Sequence, residues 1–257
     1  MPARALIRGS CEHAMSIQST PLVDLQEIDV QDAYETCLVR FYKIESTPYR
    51  TIIGMAQRVQ DRTNLERMAR VAGYDQATWN LDEMEAIGCM VAKNQISRAE
   101  EWILSRLIKK RGMEVFKNVT RTSADAFTSI SHSTKAVVVS FSDMPSGIDH
   151  EVIEDRGMGW AKRMDPCGDT VHIMSFLSAW HRPSMPEAET MVWAAKEAAL
   201  KAWGIAKTGL IPRVRIASLG GKIAAHLVTD AGTELDCTIL FITQEGCIIA
   251  LAINEKA

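Results

Sequence analysis

The chain closes on four short apolar runs, at 213–219, 222–229, 237–243 and 247–253. Gly220-Gly221 joins the first two, and Gln244-Glu245-Gly246 joins the last two. Glycine reaches the left-handed conformations that tight reversals need, so both joints read as hairpin turns and the strands they link as antiparallel. A sheet of this kind needs a cover for its apolar face. The Ala-rich segment 187–203, ended by Gly204, is read as the covering helix. Upstream, 136–141 (AVVVSF) is a β-branched run, and 147–153 follows it after a Met-Pro-Ser turn, so the two are expected to form a strand pair.

The first half has a different pattern. A segment over 30–42 is expected to be the first ordered element, and over 49–71 Ile52, Ile53, Ala56, Val59 and Met68 recur at helical spacing. Helices are also expected at 80–93 and 97–110, the second opening with a capping box (Ser97 with Glu100) and closing at Gly112 after a basic last turn. The fold class is therefore α+β, helices laid on mainly antiparallel sheets. The expected division is a tail over 1–20, an N-terminal subdomain over 21–126 with a helical insertion, and a C-terminal subdomain over 127–257.

Composition narrows the function classes. Hydrophobic residues at 47% and charged residues at 24% exclude a disordered or fibrous chain. With 29 basic against 32 acidic side chains there is no global basic field, which argues against nucleic acid and leaves any phosphate binding to a few placed residues. The six cysteines form no C-x-x-C pair, so neither a disulfide framework nor a structural zinc site is expected. No apolar run reaches membrane-spanning length, and 1–20 lacks a secretory core. Arg4 and Arg8 leave an organellar-targeting reading open; a cytoplasmic protein without a membrane partner is the expectation.

Three constellations could carry chemistry. In Gly147-Ile148-Asp149-His150-Glu151 a strand would put both carboxylates on one face, where a hard cation resolves their repulsion; ordinary solvated acids are the bland reading. In Trp193-Ala-Ala-Lys196-Glu197-Ala-Ala-Leu200-Lys201, Trp193, Glu197 and Lys201 make one helical stripe with Lys196 on its flank, which could equally be surface helix chemistry. Ser131-His132-Ser133 is read as a turn before the apolar strand, able to grip a phosphate through hydroxyls, backbone N–H groups and an imidazole.

In that order, Phe127 to Ser133, G-I-D-x-E and W-x-x-K-E-A-x-x-K, the chain resembles the 4′-phosphopantetheinyl transferase superfamily, in particular its larger surfactin-synthetase-type members. A fainter likeness lies at Arg40-Phe-Tyr42 and Tyr49-Arg50-Thr-Ile-Ile-Gly54. The resemblance implies two α+β subdomains related by a pseudo-twofold axis, a cleft between them, and a monomer. It implies transfer of 4′-phosphopantetheine from coenzyme A to a serine of an acyl or peptidyl carrier protein, with release of 3′,5′-ADP.

By the same resemblance Asp149, Glu151 and Glu197 would hold Mg²⁺ (or Mn²⁺). Glu197, or a water beside Glu151, would take the serine proton. Lys201 would neutralise the leaving group and Lys196 would contact phosphate. Ser131, His132 and Arg50, and less directly Arg40 and Lys43, would bind coenzyme A. The family's Gly-Lys-Pro element has no counterpart; the nearest position is Gly112-Met113-Glu114, preceded by Lys109, Lys110 and Arg111. That departure keeps a second class open, a transferase-like module that binds coenzyme A or a carrier domain without turnover.

Overall fold

The computed structural model describes residues 22, 25–28, 39–44, 49–58, 81–206 and 208–256. The expected tail at 1–20, the parts of the first two expected elements at 30–38 and 59–71, and Cys11 and Cys37 lie outside the described residues. Among the described residues ten strands form two five-stranded antiparallel sheets. The first contains β1 (Leu25–Ile28), β2 (Val39–Ile44), β3 (Thr51–Gln57), β4 (Phe127–His132) and β5 (Ala136–Ser142), in the order β1-β2-β3-β5-β4. The second contains β6 (Ser146–Val152), β7 (Arg215–Leu219), β8 (Lys222–Val228), β9 (Glu234–Gln244) and β10 (Cys247–Ile253), in the order β6-β10-β9-β8-β7.

Helices lie outside the sheets. Helix α1 (Leu81–Ala92) packs on α2 (Ile96–Thr120), and α2 covers the first sheet through Ile103, Ile108 and Phe116 against Phe41, Ile52, Val139 and Phe141. Helices α3 (Met158–Met164), α4 (Asp169–Leu177) and α5 (Met185–Ala202) cover the second, with Ala194, Ala195, Ala198 and Ala199 of α5 against β6, β9 and β10. A third apolar layer, including Ile53, Val138, Ile148, Ile249 and Leu251, joins the two sheets face to face. The result is a four-layer stack of helix, sheet, sheet and helix.

The two halves repeat one connectivity. In the first, β3, α2, β4 and β5 follow in sequence and the strands lie in the order β3-β5-β4; in the second, β6, α5, β9 and β10 lie in the order β6-β10-β9. Each half also carries a glycine where its helix crosses the leading strand. A Cβ on Gly54 would come 2.4 Å from Cγ2 of Ile108, and one on Gly147 would come 2.0 Å from the carbonyl oxygen of Ala198. No side chain larger than hydrogen fits either crossing, so these glycines set how closely helix and sheet approach.

Several expectations need correction. Over the described part of 49–71 the chain is strand β3 rather than helix, because Ile52 and Ile53 face opposite buried layers and a strand covered on both sides loses its period-two signature. The expected helix at 97–110 runs on to Thr120, and Gly112 sits inside it against the Phe141 ring. Its N-cap is Gln95, without a side-chain cap. Ser97 instead accepts a hydrogen bond from Arg58. The runs at 136–141 and 147–153 are strands but not partners, since β5 pairs with β3 and β4 while β6 pairs with β10. By sheet membership the chain passes from the first sheet to the second between Ser142 and Ser146. The C-terminal helix and both glycine hairpins stand as expected, and α5 has a capping box of Ser184 with Glu187.

Gly147→Ala should destabilise the fold by about 1–3 kcal/mol through overpacking against α5. Gly88→Ala, on α1 with nothing within 4 Å of the added carbon, should stabilise it by about 0.5–1 kcal/mol. Denaturant melts of the two variants check both signs.

Candidate active site

The site is built where the edge of one sheet meets the edge of the other. Strand β6 pairs with β10 on one side only, and its free edge runs beside β4. No backbone ladder joins them. The hydroxyls of β4 take that place: Ser129 Oγ accepts the Ile148 N–H at 3.0 Å, and Ser131 Oγ accepts the His150 N–H at 3.1 Å. Ser131 then donates its own proton to Asp149 Oδ1 at 2.8 Å. Ser131 and His132 thus end a strand rather than forming a turn.

Alternation along β6 sorts its side chains as the sequence implies. Asp149 lies opposite Ala250, whose methyl packs under α5, whereas Ile148 and Ile249, the partner of His150, belong to the layer between the sheets. The close crossing at Gly147 brings α5 over this face. Lys201 of α5 donates to Asp149 Oδ1 at 2.8 Å and to the Ile148 carbonyl at 2.9 Å. Asp149 is 2% exposed, and its second oxygen, Oδ2, is buried without a hydrogen-bond partner. An orphaned carboxylate oxygen at this depth is costly unless something binds it.

Glu151, one strand repeat further, accepts from Trp193 Nε1 at 3.1 Å and from Arg156 Nη2 at 3.1 Å. The Arg156 guanidinium lies 5.4 Å from the Trp193 ring centre and 5.9 Å from that of Trp160. Glu197 of α5 shares the field of these acids. Burial first, then repulsion from Asp149, raises its carboxyl above the usual range; Lys201 partly offsets this. Glu151 is raised for the same two reasons, against the pull of Arg156 and Trp193. On the opposite face, burial pushes His150 down to about 4. Asp149, Glu151, Glu197, Lys201 and Ser131 therefore form one constellation.

The remaining expected site residues lie elsewhere. Lys196 is fully buried on the flank of α5, 2.8 Å from Asp169 Oδ2, and donates to the Met164 carbonyl at 2.9 Å. Asp169 also takes Arg215 at 3.2 Å, and Asp165 caps the start of α4 through the N–H groups of Asp169 and Thr170. Lys196 is thus committed to joining α5 to the α3–α4 corner and not to the carboxylate site. His132 points toward α2, with Nε2 3.3 Å from Glu101.

Arg50 precedes β3 at the Ser142 end and donates to the Thr120 carbonyl. Ser131 pairs at the opposite end of β5 with Val138, so the two ends are separated by several residues at about 3.3 Å each. Lys43 alternates with Arg40 and Tyr42, and so projects from the other face of β2.

Two contributors escaped the sequence reading. Arg156 follows the carboxylates in an ordinary acidic run, Glu154-Asp155-Arg156, and nothing in that run singles it out. Ser129 lies two residues before Ser131, and the S-x-S spacing of one strand face was the available signal.

The donor set suits a hard divalent cation, which takes one or two carboxylates and completes its shell from substrate oxygens and water. Among the described residues, no three His, Cys, Asp or Glu side chains are gathered as a ready-made metal cage. No protein-family model matches the chain, and no curated protein matches it. Among the described residues no helix is long and apolar enough to cross a membrane, and Cys89, Cys167, Cys237 and Cys247 are free thiols, the first two exposed.

Below its ordinary value of 4.5 the Glu197 carboxyl is protonated in both folded and unfolded chains. As pH rises from there the unfolded chain ionises first, so the folded state loses stability until the raised folded value is passed. Glu197→Gln removes that loss. In chelator its melting temperature should exceed that of the parent by a margin that grows from pH 4.5 upward and then levels off; a margin that shrinks with pH contradicts the reading. Lys196→Ala should instead cost about 3–5 kcal/mol, since it removes the buried cation beside Asp169 and Asp165 and leaves Asp169 with only the half-exposed Arg215, as a denaturant melt would show.

Proposed function

We propose that the chain is a 4′-phosphopantetheinyl transferase, moving the phosphopantetheine arm of coenzyme A onto a serine of an acyl or peptidyl carrier protein. The observation that carries this reading is the meeting of Asp149, Glu151, Glu197, Lys201 and Ser131 at one seam, since they come from three separate sequence motifs and two halves. The repeated connectivity of the halves supports the two-subdomain, pseudo-twofold architecture the resemblance implies.

Asp149 and Glu197, with Glu151, would hold Mg²⁺ or Mn²⁺, and the orphaned Asp149 Oδ2 is the atom most in need of it. When bound, such an ion neutralises charge on a pyrophosphate. Glu197 has a raised affinity for a proton and no side-chain hydrogen bond among the described residues, which suits it to take the proton of the attacking serine. The new serine O–P bond forms as the pyrophosphate P–O bond breaks, and 3′,5′-ADP departs. Lys201, held at Asp149, supplies positive charge to the departing phosphate. Ser131 positions Asp149 through Oδ1 and leaves Oδ2 free.

A second reading, a module that binds coenzyme A or a carrier domain without turnover, draws on the commitment of Lys196 to Asp169 and on the position of Arg50 away from the seam. One assay separates the two. Apo carrier proteins of fatty-acid, polyketide and peptide type, incubated with the chain, coenzyme A and Mg²⁺, should gain about 340 Da by intact mass. The gain should vanish in chelator and fall at least about a hundredfold in Asp149→Asn. Carrier or coenzyme A binding with no gain in mass on any carrier supports the binding module instead.

A further inference from the structure

The three acids of the seam are not equally placed to hold an ion. Both oxygens of Glu151 are taken, Oε1 by Trp193 Nε1 and Oε2 by Arg156 Nη2, each at 3.1 Å. Asp149 keeps Oδ2 without a partner, and Glu197 makes no side-chain hydrogen bond among the described residues. Arg156 is firmly held. Its side chain is 10% exposed, and its guanidinium lies within cation–π range of the Trp193 and Trp160 rings. Trp193 grips the pair at both ends, its N–H on the carboxylate and its ring beside the guanidinium. The charge of Arg156 also reaches beyond this partner, since it acts on the Glu197 carboxyl as well as on Glu151. Within the constellation, Asp149, Glu151 and Glu197 face Lys201 and Arg156, so little negative charge is left over to attract a dication.

We infer that Arg156 is a positioning residue that holds Glu151 off the ion and, as a fixed internal cation, keeps the bare site's affinity for a dication low. The inference rests on the reading of the seam as a cation site. Affinity for hard cations follows the number of charged ligands. With Glu151 neutralised by Arg156, Asp149 and Glu197 are the carboxylates left to bind the ion. An ion held by so few carboxylates completes its shell from phosphate oxygens and water, so it is held best together with a phosphorylated substrate.

Electron paramagnetic resonance of free Mn²⁺, titrated into the full chain above neutral pH without coenzyme A, tests this. Arg156→Gln should bind Mn²⁺ at least about tenfold more tightly than the parent, and Arg156→Lys, which keeps the charge, within about threefold of it. A merely structural arginine would move both variants alike. Glu151 is partly exposed, so water can take the place of the lost guanidinium and the variants stay folded. Glu151→Gln combined with Arg156→Gln exchanges one neutral pair for another, and its affinity should stay within about threefold of the parent. A greater loss makes Glu151 a direct ligand and overturns the inference. Asp149→Asn added to Arg156→Gln should abolish the gain; a gain that survives it lies elsewhere and overturns the inference too. Mn²⁺ bound by the parent, and no more tightly by Arg156→Gln, overturns it while leaving the cation site standing. Mn²⁺ bound by neither overturns the cation site and this inference with it.

Discussion

One carboxylate oxygen holds three elements together. Asp149 Oδ1 receives Lys201 from α5 and Ser131 from β4, and it belongs to β6. Through it the covering helix of one half, the edge strand of the same half and the edge strand of the other half meet at a single buried point. The hydroxyls of Ser129 and Ser131 complete the joint by taking the N–H groups that β6 would otherwise leave unpaired at its edge. Hydrogen bonds to an ionised acceptor are roughly twice as strong as neutral ones. One of the three bonds between β4 and β6, Ser131 to Asp149, goes to a carboxylate, and together the three fix the register of the two sheets without a continuous ladder.

The same joint concentrates carboxylates that the fold only partly compensates. Gly147 and the alanines of α5 let the helix settle close enough to bring Glu197 into the electrostatic field of Asp149 and Glu151. The three acids repel, and the fold meets the cost only in part. Lys201 answers Asp149, Arg156 and Trp193 answer Glu151, and Glu197 is left with a raised proton affinity. Partial compensation of this kind is common where a protein spends stability on function. The other buried lysine of α5, Lys196, shows the contrasting case, an ion pair completed by Asp169 and built into the helix packing.

What could be read in the sequence follows from where the local signals were unopposed. The glycine hairpins and α5 were legible because turn chemistry, capping and helical composition agree there. Asp149 and Glu151 were placed on one face because strand alternation alone decides it. Strand β3 was misread because Ile52 and Ile53 are buried on opposite faces, which erases the alternation and lets a helical spacing appear. The pairing of 136–141 with 147–153 was misread because β5 and β6 are adjacent in sequence, and nothing local says that the Pro145 turn carries the chain from one sheet to the other. Lys196 sits in a motif with Glu197 and Lys201, yet helical geometry turns it to a different neighbour, and only the position of Asp169 in space reveals which one.

The central claim is that the acids at the seam form a divalent-cation site. Anomalous diffraction from crystals grown with Mn²⁺ and coenzyme A tests it directly. The account predicts a peak bounded by Asp149 Oδ2 and Glu197, absent in Asp149→Asn. A peak bound to other residues, or none at the seam while coenzyme A is bound, would contradict it.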